Sequence, residues 1–183
     1  IQIVDTSNSD TVVGSFTVTD ASITTKDITT STLSAGTHAL KAQLTDLSGN
    51  TGTISSSALS VVVDTTAAAS LAAKTPDLKA STDSGTSNTD NNTNDATPDI
   101  TVDLTSVSLV VGDIIQIVDT SNSDAIVGSF TVTDASITTK DITTSTLSAG
   151  THALKAQITD LAGNTGTISS SALSVVVDTT AAA

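Results

Sequence analysis

The sequence contains no cysteine, methionine, tryptophan or tyrosine, and phenylalanine occurs only at Phe16 and Phe130. Without cysteine there is no disulfide to stabilise the fold, and thiols give no information about the redox compartment. Arginine and glutamate are also absent, so all 19 acidic residues are aspartate and all 6 basic residues are lysine. No apolar run approaches the roughly 18 residues that a membrane-spanning helix needs.

The chain is strongly acidic, with a formal net charge of −13. This charge argues against nucleic acid or an anionic membrane as a partner, because both require a cationic surface. It suits small hard cations, since aspartate oxygens are common ligands of Ca²⁺. The abundant Thr, Val and Ile favour strands, whereas the good helix formers Glu, Arg, Met and Gln are absent or scarce. The composition therefore predicts an all-β protein.

An internal repeat organises the chain. Residues 1–69 align without a gap to residues 115–183, a period of 114, and only four aligned pairs differ. Those pairs are Thr11/Ala125, Val12/Ile126, Leu44/Ile158 and Ser48/Ala162. We expect residues 1–64 to be the C-terminal part of one Ig-like repeat without its first strands, 65–178 to be a complete repeat, and 179–183 to begin the next linker. We also expect the chain to be a window on a longer tandem array.

Short alternating runs separated by Asp, Asn, Gly and Ser clusters predict strands within the complete repeat. The seven expected strands are Asp77–Ser81, Asp99–Leu104, Asp113–Asp119, Ala125–Thr133, Ile137–Thr146, Thr151–Asp160 and Ile168–Asp178. In the fourth of these, the pattern places Ile126, Gly128, Phe130 and Val132 on one face and Val127 on the other. The economical architecture is an immunoglobulin-like antiparallel β-sandwich, with another antiparallel barrel as the alternative.

Three motifs resemble the bacterial Ig-like repeats of giant secreted adhesins, which include type I-secreted, RTX-type and biofilm-associated surface proteins. They are Leu147-x-x-Gly150-x-His152, Asp160-x-Ala162-Gly163-Asn164 and Asp178-Thr179-Thr180, and the Asp-rich segment 82–98 matches the first inter-strand loop of the family. Two features depart from the family pattern. The strand before the LxxG turn lacks its usual aromatic residue, and alanines replace the proline that usually follows Asp-Thr-Thr-Ala, which predicts a looser linker.

The resemblance implies a structural extender, or stalk, on a bacterial cell surface, in contact with neighbouring repeats of the same chain and exported by type I secretion. No enzymatic activity is expected, because the sequence has no GxSxG, HExxH, P-loop or GxGxxG motif. The alternative is a subunit of an extracellular filament or surface layer, in which strands from another copy complete the partial repeat. His38 and His152, at equivalent strand starts, are interpreted as structural residues.

The best candidate for a binding site is the segment 82–95, which we call the Asp-rich loop. In an Ig-type sandwich this loop lies at the C-terminal pole, whereas the loop 160–164 lies at the N-terminal pole. In an array the two loops of successive repeats would meet, and Ca²⁺ bound there would stiffen the junction. The expected ligands are Asp64, Asp83, Asp90, Asn92, Asp95, Asp160, Asn164 and Asp178. The alternative is that these Asp, Asn and Gly residues only form turns.

Overall fold

The computed structural model describes residues 1–181 and divides the chain into two compact units, Ile1–Thr65 and Thr66–Ala183. Every regular element among the described residues is a β-strand. None of the described segments is a helix long and apolar enough to cross a membrane. Of the linker expected at 179–183, the last two residues lie outside the described part of the chain.

In its described part, up to residue 181, the second unit contains eight strands in two sheets. They are β5 (Asp77–Leu78), β6 (Asn92–Thr93), β7 (Asp99–Asp103), β8 (Ile114–Asp119), β9 (Ala125–Thr131), β10 (Thr139–Thr143), β11 (Gly150–Thr159) and β12 (Leu173–Val177). One sheet has the order β10-β7-β5 and the other the order β6-β12-β11-β8-β9. Every pairing is antiparallel except that of β6 with β12. The predicted all-β, Ig-like sandwich is confirmed.

One core lies between the two sheets. The inward residues of β7, Ile100 and Val102, are both 0 % exposed, and so are Leu154, Ala156 and Ile158 along β11. These positions alternate with exposed or half-buried polar residues, as expected for strands with one face buried. The predicted faces of β7 and β11 are therefore confirmed. In both strands the period-2 pattern of apolar residues correctly indicates which side chains face the core.

The predicted faces of β9 are wrong at its start. Val127 is 7 % exposed, whereas Ile126 is 57 % exposed. The cause is a β-bulge: Ile117 of β8 pairs with Gly128, but Val118 pairs with Ile126, so Val127 has no opposite residue. An extra residue shifts the side-chain alternation by one position, which turns Val127 inward and Ile126 outward.

The Asp-rich loop also departs from the prediction, because it contains the short strand β6 where only a loop was expected. Its two residues pair in parallel with the end of β12, Asn92 opposite Val176 and Thr93 opposite Val177. Two residues flanked by Asx turns give no period-2 pattern. This strand is therefore defined by its pairing with β12 and has no signal of its own in the sequence.

The first unit consists of one sheet of four strands in the order β2-β1-β3-β4. These strands are β1 (Gln2–Asp5), β2 (Thr11–Ser15), β3 (Gly36–Gln43) and β4 (Leu59–Val63). The segment 25–29 has the sequence of β10 but is not a strand here. Its copy in the second unit pairs with β7, and residues 1–65 contain no counterpart of β7. A strand needs a partner for its backbone hydrogen bonds, so this segment stays irregular.

Candidate functional site

The Asp-rich loop lies beside the point where the chain leaves the second unit. The Val176 amide donates to the Asn91 carbonyl at 2.9 Å, and the Asp178 amide donates to the Thr93 carbonyl at 2.8 Å. These bonds flank the parallel pairing of β6 with β12. The loop and Asp178 therefore occupy the same pole of the sandwich, which we call the C-terminal pole.

Thr93 holds the Asp-rich loop together. Its side chain is buried, and its Oγ1 donates to the Thr82 carbonyl at 2.6 Å while accepting a bond from the Asp95 amide at 3.0 Å. The Ser84 hydroxyl lies 2.9 Å from Thr93 Oγ1 and accepts a bond from the Asn94 amide at 3.0 Å. Sequence reasoning missed both hydroxyls. The only available signal was a β-branched residue among the Asn and Asp residues.

Asp83 is the one predicted ligand with an unsatisfied buried oxygen. The residue is 3 % exposed, and its Oδ2 accepts a bond from the Asn91 amide at 3.1 Å. Its Oδ1 is buried and has no hydrogen-bond donor among the described residues. A buried carboxylate oxygen without a donor is costly, and a cation would offset that cost. The chemistry of this group thus fits a hard cation.

The other acidic residues of the loop make turns. Asp90 Oδ1 accepts a bond from the Asn92 amide at 3.1 Å, and Asp95 Oδ1 accepts one from the Thr97 amide at 2.8 Å. Both are Asx turns, which Asp favours whether or not a cation is present. Asp90 and Asn92 are exposed, so their side chains face solvent. Asp178 likewise accepts the Thr180 amide at 2.9 Å.

The loop 160–164 lies at the opposite end of the second unit, because β11 and β12 run antiparallel and pair Gly150 with Val177. Asp160 Oδ1 accepts the Asn164 amide at 2.8 Å, and Asp160 Oδ2 accepts the Asn164 side-chain amide at 2.9 Å. This side-chain bond lowers the pKa of Asp160. The two predicted ligands therefore order their own loop.

This N-terminal pole is closely packed against the start of the unit. The Leu71 amide donates to the Thr167 carbonyl at 2.8 Å, and the Leu71 side chain is fully buried. A Cβ on Gly166 would lie only 2.1 Å from the Ala69 carbonyl oxygen, so the backbone there accepts glycine alone. The segment that enters the repeat is thus fixed to the strand connection that follows the 160–164 loop.

The structure therefore divides the predicted ligands into separate groups. Asp83, Asp90, Asn92 and Asp95 share the loop beside Asp178, Asp160 and Asn164 lie at the other pole, and Asp64 follows β4 in the first unit. Among the described residues, no three Asp or His side chains gather closely enough to hold a metal ion. A calcium site built from both poles would need two repeats, each supplying one pole.

Each unit also contains a buried histidine–aspartate pair. In the second unit His152 Nδ1 lies 2.7 Å from Asp119 Oδ2, and His152 Nε2 lies 2.9 Å from the Ser148 carbonyl oxygen. The corresponding distances for His38 in the first unit are 2.6 Å to Asp5 and 2.8 Å to Ser34. The pair recurs because the same residues, with the same strand pairing, form it.

The pair differs from a catalytic serine–histidine–aspartate arrangement. The Ser121 hydroxyl donates to Asp119 Oδ1 at 2.5 Å instead of contacting the imidazole. His152 Nε2, which would have to accept the proton of a nucleophilic serine, faces a carbonyl oxygen. Both groups are buried, which fits the structural role expected for His152.

Two β-sheets pack around one core in a chain that repeats its own sequence, and their pairings are antiparallel except that of β6 with β12. This arrangement defines an Ig-like β-sandwich repeat. A family model described as bacterial Ig-like domain matches residues 70–179. The chain belongs to the bacterial Ig-like domain family, and the resemblance seen in the sequence is confirmed at this level. The RTX association and type I secretion stay predictions.

Two solved structures match this chain at low sequence identity. The BSP domain of a biofilm-associated protein is 16 % identical, with 98 % of this chain and 25 % of that chain covered and a TM-score of 0.36. The fibronectin(III)-like modules of Clostridium thermocellum CbhA are 17 % identical, with 97 % and 76 % covered and a TM-score of 0.49. The chain thus spans a quarter of the length of the biofilm-associated structure. A search of curated proteins found no match.

Proposed function

We propose that the chain is a structural extender of a bacterial surface adhesin or biofilm protein, located outside the cell and exported by type I secretion. The observation that carries the proposal is that residues 1–65 recur almost unchanged as residues 115–179, so that each of the two compact units carries one copy of this Ig-like sequence. In such arrays stability is close to a sum of single-repeat and neighbour terms, so copies add length without a new fold. The partners are neighbouring repeats of the same chain.

Calcium is the second part of the proposal. The Asp-rich loop and Asp178 at the C-terminal pole of one repeat, and the 160–164 loop at the N-terminal pole of the next, would together surround the junction. Asp83 supports this assignment because its buried Oδ1 has no donor within the described residues. Carboxylates held at one pole repel one another without metal, and a bound Ca²⁺ would remove that repulsion and stiffen the rod. Asp64 of the first unit occupies the sequence position that corresponds to Asp178 of the complete repeat.

The test uses a chain of two complete repeats, each with the sequence of residues 65–178. Its maximum dimension by small-angle scattering and its melting temperature are followed as Ca²⁺ is added up to about 10⁻³ M, the range typical of extracellular modules. We expect both quantities to rise. Asp83→Asn should abolish the rise, whereas Asp77→Asn, on an exposed strand position, should leave it intact. A dimension and melting temperature independent of Ca²⁺ would refute the calcium proposal.

Filament assembly by strand exchange is the second candidate. It is favoured by the exposure in the first unit of residues that the second unit buries, such as Leu44 at 62 % and Leu59 at 65 %. However, the chain holds two copies of the later strands and one set of the earlier strands β5 and β7. Exchange among copies of residues 1–183 would therefore leave one sheet of later strands uncovered in each copy. Sedimentation velocity distinguishes the two candidate functions. Polymers that grow with protein concentration would support filament assembly, whereas particles of one size at every concentration would support the extender.

A further inference from the structure

The buried pair in the second unit is connected to the C-terminal pole through a short segment, residues 144–149, which we call the strap. The Thr144 amide donates to the Pro98 carbonyl at 3.1 Å, and the Leu147 amide donates to the Ala96 carbonyl at 2.8 Å. Leu147 is 4 % exposed and belongs to the core. The strap thus fixes the end of the Asp-rich loop to the sandwich.

The strap is in turn held by His152. His152 Nε2 lies 2.9 Å from the Ser148 carbonyl oxygen, and His152 Nδ1 lies 2.7 Å from Asp119 Oδ2. A carbonyl and an ionised carboxylate are both pure acceptors, whereas a neutral imidazole has only one N–H. Only the protonated imidazolium satisfies both partners at once. Deprotonation must break one of the two bonds.

We propose that Asp119, His152 and Ser148 form a pH-dependent clasp that controls the order of the C-terminal pole. With the clasp closed, the strap holds residues 96–98 and so the end of the Asp-rich loop. When His152 loses its proton, the Ser148 carbonyl is released or Asp119 is left without its donor. The strap then loosens, and the Asp-rich loop opens more often than the rest of the sandwich.

Among the described residues, the one charged group that pairs with His152 is Asp119. Asp119, from the end of β8, contacts it directly, and β12 contributes the uncharged Val175 as its strand partner. The strap carries no charged residue, and Lys155 of β11 binds the Ser170 carbonyl. The facing sheet turns Ile100 and Ile142 inward. Its acidic residues Asp99 and Asp141 pair with Lys79 on the outer side, and Asp83 bonds to Asn91.

The first unit supplies an internal control. It has the same pair, His38 with Asp5, and the same bond to the carbonyl of Ser34. Its strap, residues 30–35, has no Asp-rich loop to hold, since residues 1–65 contain no counterpart of residues 82–98. A change at His38 therefore disturbs an equivalent pair in a unit that has no Asp-rich loop.

The experiment follows hydrogen exchange by mass spectrometry on the full chain, in calcium-free buffer with a chelator, from acid to alkaline pH. Peptides within 82–98 report the loop and peptides within 99–104 report the core strand β7, and neither sequence occurs in the first repeat. After correction for intrinsic exchange, we expect protection of 82–98 to fall as His152 deprotonates while 99–104 stays protected. The loss should reach about tenfold for each unit by which the clasp raises the pKa.

Two variants separate the clasp from a general loss of stability. His152→Gln should leave the loop weakly protected at all pH values, whereas His38→Gln should keep the native profile. Nitrogen NMR should show both ring nitrogens of His152 protonated at pH 6, and Asp119→Asn should lower the pH at which this proton is lost. An unchanged pH profile in His152→Gln, or an equal effect of His38→Gln, would overturn the proposal. A neutral His152 at pH 6 in the native chain would overturn it even if neither variant folds.

Discussion

Leu173 and Leu59 occupy the same position in two copies of one sequence, yet Leu173 is 6 % exposed and Leu59 is 65 % exposed. Both begin the last strand of their unit and pair with equivalent residues, Leu154 and Leu40. The difference arises because the second unit has a sheet, β10-β7-β5, that covers this face, and the first unit has none. Burial here is a property of the partner sheet and not of the local sequence.

A pair of matched substitutions tests this difference. Leu173→Ala should lower the free energy of unfolding of the second unit by about 2–5 kcal/mol, because it leaves a cavity in a packed core. Leu59→Ala should change stability by no more than about 0.5 kcal/mol, as is usual at exposed positions. Both are measured by urea denaturation followed by circular dichroism, since the chain has no tryptophan or tyrosine. Equal costs at the two positions would contradict the assigned burial.

The β-bulge in β9 makes a second prediction. Val127→Thr should cost about 1–3 kcal/mol, because it buries a hydroxyl at a position that is 7 % exposed. Ile126→Thr should stay within about 0.5 kcal/mol, since Ile126 faces solvent. Thermal unfolding of the two variants is the measurement. The simple alternation of the sequence predicts the reverse order, so the result distinguishes the bulged register from the regular one.

The buried pair predicts a pH window for the stability of the second unit. Burial lowers the pKa of His152, but the bonds to Asp119 and Ser148 outweigh it and raise that pKa above its ordinary 6.5. Burial raises the pKa of Asp119, and the bonds from Ser121 and His152 outweigh it and lower that pKa below 3.8. The contribution of His152 to the stability of the second unit is complete below pH 6.5 and is lost as pH rises through the raised pKa. The contribution of Asp119 to that stability is complete above pH 3.8 and is lost as pH falls through the lowered pKa.

The melting temperature of the second unit should therefore be highest between about pH 4 and pH 6.5 and should fall on both sides. His152→Gln should lower the melting temperature, because it leaves the buried Asp119 carboxylate without its partner and so costs about 3 kcal/mol of unfolding free energy. It should also weaken the fall of the melting temperature at alkaline pH. His38→Gln serves as the matched control, since it changes only the first unit. A melting temperature that rises between pH 6.5 and pH 9 would show that the pair is neutral in the fold.

Much of the fold could be predicted from the sequence because period and composition are local properties. The faces of β7 and β11 follow from strict alternation, and the two nearly identical copies define the period of 114 residues. The Asp-rich loop was found from its oxygen-bearing residues. The strand within it was missed, because β6 exists only through its pairing with β12. The role of Thr93 was missed for the same reason, since its partners are spread from Thr82 to Asp95.

The sequence by itself determined the repeat, the all-β class and the family, since these depend on residue type and spacing along the chain. Only the tertiary structure decided which copy of a residue is buried, which side of β9 faces the core, and that His152 and Asp119 form a pair. The physical reason is that burial and hydrogen bonding are satisfied by partners distant in sequence, and identical segments meet different partners in the two units.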